Sequence, residues 1–270
     1  MSREPLKKRI LTRWYPVLRR SPALTERLDG ICTTFHDIHE NFNYDLNLNG
    51  ERWLLKRLAA RNRLSMCFDV GANHGEWASM VLAENSKSMV HCFEVCAPTY
   101  QKLSAQLGND PRVVLNPFGL SDRPGEIDVK YCLDSDGLSS MFEVVCSRNV
   151  KTMKGKVIQG KDYCAEKNIC KIDFLKIDVE GAEHLVLYGF GELLLPQTVP
   201  VIQFEYGMVN IVTKFLLRDF YEFLGSRGYR MGKLYPDHVR FREYRFEDEN
   251  FRGPNFIATS PDLVGDLGAH

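Results

Sequence analysis

Asp69, Gly71, Asn73 and Gly75 occupy alternate positions in Cys67-Phe68-Asp69-Val70-Gly71-Ala72-Asn73-His74-Gly75-Glu76-Trp77. An apolar run beginning at Met66 leads into this stretch, and Trp77, Ala78, Val81 and Leu82 follow it at helical spacing. A strand, a glycine loop and a helix in that order bring backbone close to a ligand at a helix N-terminus. There, unpaired N–H groups and the helix dipole favour negative charge. A dinucleotide fingerprint needs Gly-x-Gly-x-x-Gly and a P-loop needs Gly-Lys-Ser/Thr; neither is present. An acid at the strand end suits a ligand that carries an ammonium beside its carboxylate. S-adenosylmethionine is such a ligand, and the loop is read as its site.

A second acid stands where that reading wants it. Met89-Val90-His91-Cys92-Phe93-Glu94 has strand character, and Glu94 follows Gly71 by 23 residues. In nucleotide-binding α/β folds, an acid about 20 residues past the glycine loop accepts hydrogen bonds from ribose hydroxyls. Asn116 closes the next strand-like run, and its amide can both donate to and accept from an adenine edge.

A third group is Asp178, Glu180 and Glu183, three carboxylates within Asp173-Phe174-Leu175-Lys176-Ile177-Asp178-Val179-Glu180-Gly181-Ala182-Glu183. Glu183 suits the first turn of a helix, where it complements the dipole. Asp178, at the end of an apolar strand, is costly to place without a purpose. Val201-Ile202-Gln203-Phe204-Glu205 repeats the pattern on what should be the adjacent strand. Asp178, Glu180 and Glu205 are therefore expected to converge as catalytic groups. A hydroxyl nucleophile needs a base within hydrogen-bond reach, or a metal that lowers its pKa. Clustered carboxylates can serve either role; base catalysis without a metal is the expectation. His74 and His91 are further candidates, although core or surface histidines are commoner.

The blocks Asp69 to Gly75, Phe93-Glu94, Gly119-Leu120-Ser121-Asp122, Lys176 to Glu183 and Asn255-Phe256-Ile257-Ala258 together resemble the FkbM-type methyltransferases over roughly residues 45 to 260. The Lys-Ile-Asp-Val-Glu-Gly-Ala-Glu block is the most specific. The resemblance implies a class I, S-adenosylmethionine-dependent O-methyltransferase acting on hydroxyls of saccharides, glycolipids or secondary metabolites. One departure concerns the residue after the ribose-binding acid. Many members have proline there, whereas here Val95-Cys96-Ala97 intervene before Pro98.

The elements that must carry these residues alternate. Strands are expected near 65–70, 88–94, 112–116, 174–179 and 200–205, with helices near 75–85, 98–107, 181–190 and 211–226. A closing antiparallel pair is expected near 229–235 and 255–260. The predicted fold is α/β and Rossmann-like, a mostly parallel seven-stranded sheet with helices on both faces. Residues 1–60 are expected to form an N-terminal helical extension and 61–265 the catalytic domain. An insertion near 126–160 would serve as a lid or specificity loop, with Ser139 and Ser140 lining the acceptor pocket.

Composition limits the alternatives. The chain of 270 residues has 35 Lys and Arg against 35 Asp and Glu, giving no overall pull toward nucleic acid. Its expected partner is a small-molecule or glycan acceptor. Residues 5–20 place Lys7, Lys8, Arg9, Arg13, Arg19 and Arg20 around Leu6, Ile10, Trp14 and Val17. Two readings stay open for that amphipathic helix: contact with an anionic membrane surface, or docking with a solvated basic face, the commoner case. The eight cysteines include no Cys-x-x-Cys pair. Reduced thiols, a cytoplasmic location and no zinc site are expected. An oxidoreductase of doubly wound fold and a non-catalytic module in glycan assembly are the rival functions. The loop spacing opposes the first and the intact strand-end acids oppose the second.

Overall fold

The computed structural model describes residues 5–132 and 149–268. Its central sheet is built on β1 (Met66–Val70), β2 (Met89–Phe93), β3 (Val113–Asn116), β7 (Phe174–Ile177) and β8 (Val201–Glu205), all parallel. Apart from the half-buried edge strand β3, these strands are buried along nearly their whole length because helices cover both faces. β9 (Arg230–Tyr235) and β11 (Asn255–Thr259) complete the far side, with β11 inserted antiparallel between β8 and β9. The sheet has eight strands rather than the seven expected. Pro236-Asp237 turns the chain back, and β10 (His238–Phe241) pairs on the outer edge of β9.

The order β10-β9-β11-β8-β7-β1-β2-β3 reverses direction beside β1. A chain that winds first one way and then the other opens a crevice beyond the carboxyl ends of its strands. Every acid singled out above stands at or near that edge. On one face, α3 (Glu51–Ala59) and α4 (Glu76–Glu84) bury Leu54, Leu55, Leu58, Trp77 and Val81 against Cys67, Val90 and Val201. The other face is covered by α6 (Gly160–Lys167), α7 (Glu183–Phe190) and α9 (Leu217–Gly225) around Phe68, Leu175, Phe190, Phe204 and Phe220. α5 (Ala97–Leu107) packs Leu103 and Leu107 under the glycine loop.

Helix 211–226 is interrupted. α8 (Val209–Thr213) ends at Lys214, which takes a left-handed φ of 58°. The carboxylate of Asp219 then accepts the Leu216 N–H at 2.8 Å and starts α9 afresh. A smaller sheet, order β4-β6-β5, stands beside the first and consists of β4 (Gly119–Leu120), β5 (Gly125–Cys132) and β6 (Val150–Ile158). Cys132 is disulfide-bonded, which corrects the expectation that all thiols are reduced. Cys32, Cys67, Cys92, Cys96, Cys164 and Cys170 form no disulfide.

At the N-terminus, α1 (Leu6–Leu18) and α2 (Pro22–His39) contain no buried residue. The chain re-enters the body at Glu40 and Asn41. Glu40 pairs with the Lys233 ammonium at 2.9 Å, and the Asn41 amide donates to the carbonyls of Asn49 and Leu234.

Candidate active site

Register places Asp69 of β1 opposite Lys176 of β7, and Lys176 opposite Gln203 of β8. The three side chains therefore form a row across one face of the parallel sheet. Lys176 lies between two acids, its Nζ 3.5 Å from Asp69 Oδ1 and 3.0 Å from Asp178 Oδ2. Burial alone would push this ammonium down, yet the carboxylates of Asp178, Asp69 and Glu51 hold it above its usual range. Gln203 donates to Glu51 Oε1 at 2.5 Å and to Asn255 Oδ1 at 3.0 Å. Glu51, from the first turn of α3, thus reaches into the row from above.

The glycine loop is positioned by backbone. The N–H groups of Gly71 and Ala72 both donate to the Phe93 carbonyl at 3.0 Å. Gly71 has φ 83°, and a Cβ there would lie 1.8 Å from the carbonyl oxygen of Asp178. Gly75 has φ 87°, and a Cβ would press on Leu103 and Leu107. Both glycines are therefore required by the protein's own close approaches. A side chain at Gly71 would point at the β7 loop rather than into ligand space.

Glu94 stands just past β2, with one backbone N–H on each oxygen. Asn73 donates to Oε2 at 3.0 Å and Cys96 to Oε1 at 2.8 Å. Burial pushes this carboxyl up to about 7, against the lowering effect of those N–H groups. Each oxygen has a second lone pair left for another donor. A cleft opens in front of it, lined by Gly71, Asn73, Glu94, Val95, Asp178 and Glu180, with Ile127, Val129 and Val157 of the side sheet forming an apolar wall. Asn73 Oδ1 is buried on this loop with no hydrogen-bond partner.

A second cleft adjoins the first across Gly71, Asn73, Asp178 and Glu180. Its further walls are Tyr44, Leu46, His74, Trp77, Lys176 and Glu205. Asp178, Glu180 and Glu205 each direct a carboxylate oxygen here, and the three atoms lie within 4.8 Å of one another. Glu180 is held at φ 55°, a conformation that non-glycine residues rarely adopt, beside Gly181 at 104°. Glu183, buried under the turn, accepts the N–H groups of Val179 and Gly181 at 3.1 Å and fixes it. Burial, then the charges of Asp178 and Glu183, push Glu180 up to about 8. Burial with repulsion from Asp178 and Glu180 raises Glu205 well above the usual carboxylate range. Burial raises Tyr44 too, helped by Glu205, Glu180 and Asp178.

The structure therefore brings Asp178, Glu180 and Glu205 together, and sets Gly71, Asn73 and Glu94 on the neighbouring cleft. Gly75 lies beneath it. Two expected binding residues are placed differently. Asp69 is fully buried and lines neither cleft; its partner is Lys176, so it sets the charge of the layer below. Burial raises its carboxyl, with Lys176 opposing. Asn116 spends its amide N–H groups on the carbonyls of Cys92 and Val114, which pins β3 to β2 and keeps it off the cleft. The apolar wall of β5 and β6 takes its place there. His91 meets the Tyr163 hydroxyl at 2.7 Å, and burial pushes it down to about 4, which makes it a core residue. Ser139 and Ser140 lie outside the described residues.

Sequence reading missed Lys176, Glu51, Tyr44 and Leu46. For Lys176 a signal existed: a lysine inside an otherwise apolar strand, two residues before an acid, asks for a buried counter-charge. The other three arrive from upstream of the sheet, and nothing local announces them.

A parallel sheet reversed beside its first strand, with an antiparallel hairpin strand inserted next to the last parallel one, defines the class I methyltransferase fold. The Methyltransferase FkbM domain matches residues 69–231, and the chain belongs to that family. It is similar to the 2-O-methyltransferase NoeI of Sinorhizobium fredii (strain NBRC 101917 / NGR234), 27% identical over 142 residues, which is 47% of this chain and 57% of that protein. The chain thus matches little more than half the length of this relative. Among solved structures, a methyltransferase FkbM from Methylobacillus flagellatus KT aligns at 15% identity and TM-score 0.45, over 73% of this chain and 44% of that one. A precorrin-6y C5,15-methyltransferase from Geobacter metallireducens GS-15 aligns at 12% and 0.38, over 76% and 87%.

Proposed function

We propose that the protein transfers a methyl group from S-adenosylmethionine to a hydroxyl oxygen of a saccharide, glycolipid or secondary-metabolite acceptor. The observation that carries this reading is the junction of two clefts, one lined by Glu94 and the other by the three carboxylates. The similarity to a 2-O-methyltransferase supports oxygen as the methyl-accepting atom.

The residues present fit the methyl donor. Glu94 offers its remaining lone pairs to ribose hydroxyls, and the apolar wall of β5 and β6 suits a flat base. Asn73 Oδ1, buried and unmatched, is an acceptor ready for an ammonium. When bound, S-adenosylmethionine supplies an electrophilic methyl carbon on a sulfonium. The chain's own task is to place the acceptor hydroxyl and take its proton. Glu205 Oε or Glu180 Oε can accept that proton, because burial, with repulsion from Asp178, has raised both carboxyls above the usual range. Lys176 holds Asp178 in place through their ion pair at 3.0 Å. Tyr44 and Leu46 line the acceptor side.

A second reading rests on one observation, three carboxylate oxygens within 4.8 Å of one another, which a divalent cation could bridge. The test is methyl transfer from labelled S-adenosylmethionine to a panel of saccharide acceptors, with and without EDTA. Transfer unaffected by chelation supports the base; loss on chelation, restored by magnesium, supports the cation. If calorimetry detects no binding of S-adenosylmethionine, the proposal fails at its first step.

A further inference from the structure

We infer that α1 and α2 together form a docking element for an anionic lipid bilayer, lying in its surface. Neither helix has a buried residue, and the body meets α2 near its end, where Asp37 pairs with Arg252. Leu6, Ile10, Leu11, Trp14, Tyr15 and Val17 are each at least half exposed. With about 100° per residue, these apolar residues share one half of α1. Lys8, Arg9, Arg13, Arg19 and Arg20 occupy the other half with Thr12 and Pro16, Lys7 stands within the apolar half, and no acid lies between residues 5 and 20. An apolar half with a tryptophan and a tyrosine, set against a half rich in cations, is the pattern of a helix lying at the headgroup boundary. No described helix is long and apolar enough to cross a membrane.

α2 continues the surface. Leu24, Leu28, Ile31, Phe35 and Ile38 recur at alternating steps of four and three and are 40–74% exposed. Its acids Glu26, Asp29 and Asp37 fall on the opposite side of the helix, and Arg27 and His39 flank the stripe. An anionic bilayer would therefore meet apolar groups and cations, while Glu26 and Asp29 lie on the far side and Asp37 pairs with Arg252. Charge complementarity also decides against a second copy as the occupant of α1. Two such helices packed together would confront cation with cation. Nucleic acid fits the charge but leaves the apolar half without a partner. The element is attached firmly rather than trailing. Thr25 Oγ1 donates to the Leu18 carbonyl at 3.0 Å between the helices, and the Glu40–Lys233 pair fixes the C-terminal end of α2.

The full chain should be sedimented with phosphatidylcholine vesicles, with and without phosphatidylglycerol. Binding is expected only to the anionic vesicles, weakening as salt rises. Arg9→Gln with Arg13→Gln should weaken it by roughly tenfold. Trp14→Glu with Leu11→Glu should abolish it, and Ile31→Glu with Phe35→Glu should reduce it. All these positions are exposed, so circular dichroism and S-adenosylmethionine binding should stay unchanged and exclude misfolding. Equal binding to neutral vesicles, or no effect of the glutamate variants, overturns the inference. So does sedimentation velocity showing a dimer without lipid that Ile31→Glu dissolves, which would assign the stripe to a second copy.

Discussion

The two clefts hold acids in opposite ways. At Glu94 each carboxylate oxygen already receives a backbone N–H, so the group is fixed by the loop it serves. At Asp178, Glu180 and Glu205 the oxygens face one another, and repulsion adds to burial in raising two of them. The first arrangement suits recognition, where a group must keep its place. The second suits proton transfer, where a group must change charge at modest cost. The supporting layer divides likewise: Lys176 neutralises the side nearest the chemistry and leaves Glu94 to hydrogen bonds alone.

That contrast can be broken at several points. The largest effect is expected at the repelling cluster. Glu205→Gln should retain methyl-donor affinity in calorimetry and lose turnover by roughly 10²–10⁴-fold. If Glu180 is the base instead, turnover should rise with pH through about 8, where its carboxyl ionises, and Glu180→Gln should flatten the profile. Normal turnover in both variants would make the cluster structural. Next comes Gly71→Ala, which sets a Cβ against the Asp178 carbonyl at a φ of 83°. It should cost roughly 3 kcal/mol of stability, read as a lower thermal midpoint, because strained backbone and a clash with main chain add. An unshifted midpoint would show that the two loops part easily.

Smaller effects sharpen the distinction. Glu94→Gln keeps a carbonyl acceptor but loses the charge, and should weaken methyl-donor binding about tenfold with turnover at saturation little changed. A loss confined to turnover would move Glu94 to the other class of acid. The last test is pH dependence of stability. Glu94 and Glu183 are pushed up to about 7 from an ordinary 4.5, so the folded chain holds protons that the unfolded chain releases. Their contribution is complete below about pH 4.5 and is lost as pH rises through about 7. Each group adds a slope of up to about −1.4 kcal/mol per pH unit within that window. Urea unfolding at pH 5.5 and 7.5 should show this fall, and Glu183→Gln should reduce it.

What could be read from sequence was whatever is local. The Asp69-to-Gly75 loop, the acid after β2 and the acids after β7 and β8 each carry their own strand in front of them, so position along the chain fixed position on the sheet edge. The role of each was harder to read. Asp69 and Asn116 look like ligand-binding residues from their places at strand ends. Lateral register, which a single strand does not display, supplies the partners that occupy them: Lys176 for one, the Cys92 and Val114 carbonyls for the other. Glu51 meets Gln203 across 152 positions of chain. That contact is a property of the sheet's winding rather than of any segment. The break at Lys214 was concealed because Val209 to Gly225 keeps helical spacing on both sides of it.

The cationic half of α1 bears on the molecule at long range. Whole-chain charge is zero and pI about 7.0, while the sixteen residues from Pro5 to Arg20 carry six cations and no acid. An equal negative excess must therefore lie on the remainder. A protein that looks electrically silent by isoelectric focusing is a strong dipole with its positive pole on a projecting arm. Near pH 7 at low ionic strength it should be retained on a cation exchanger despite having no net charge. Removing the first twenty residues should turn it into an acidic protein held by the opposite resin.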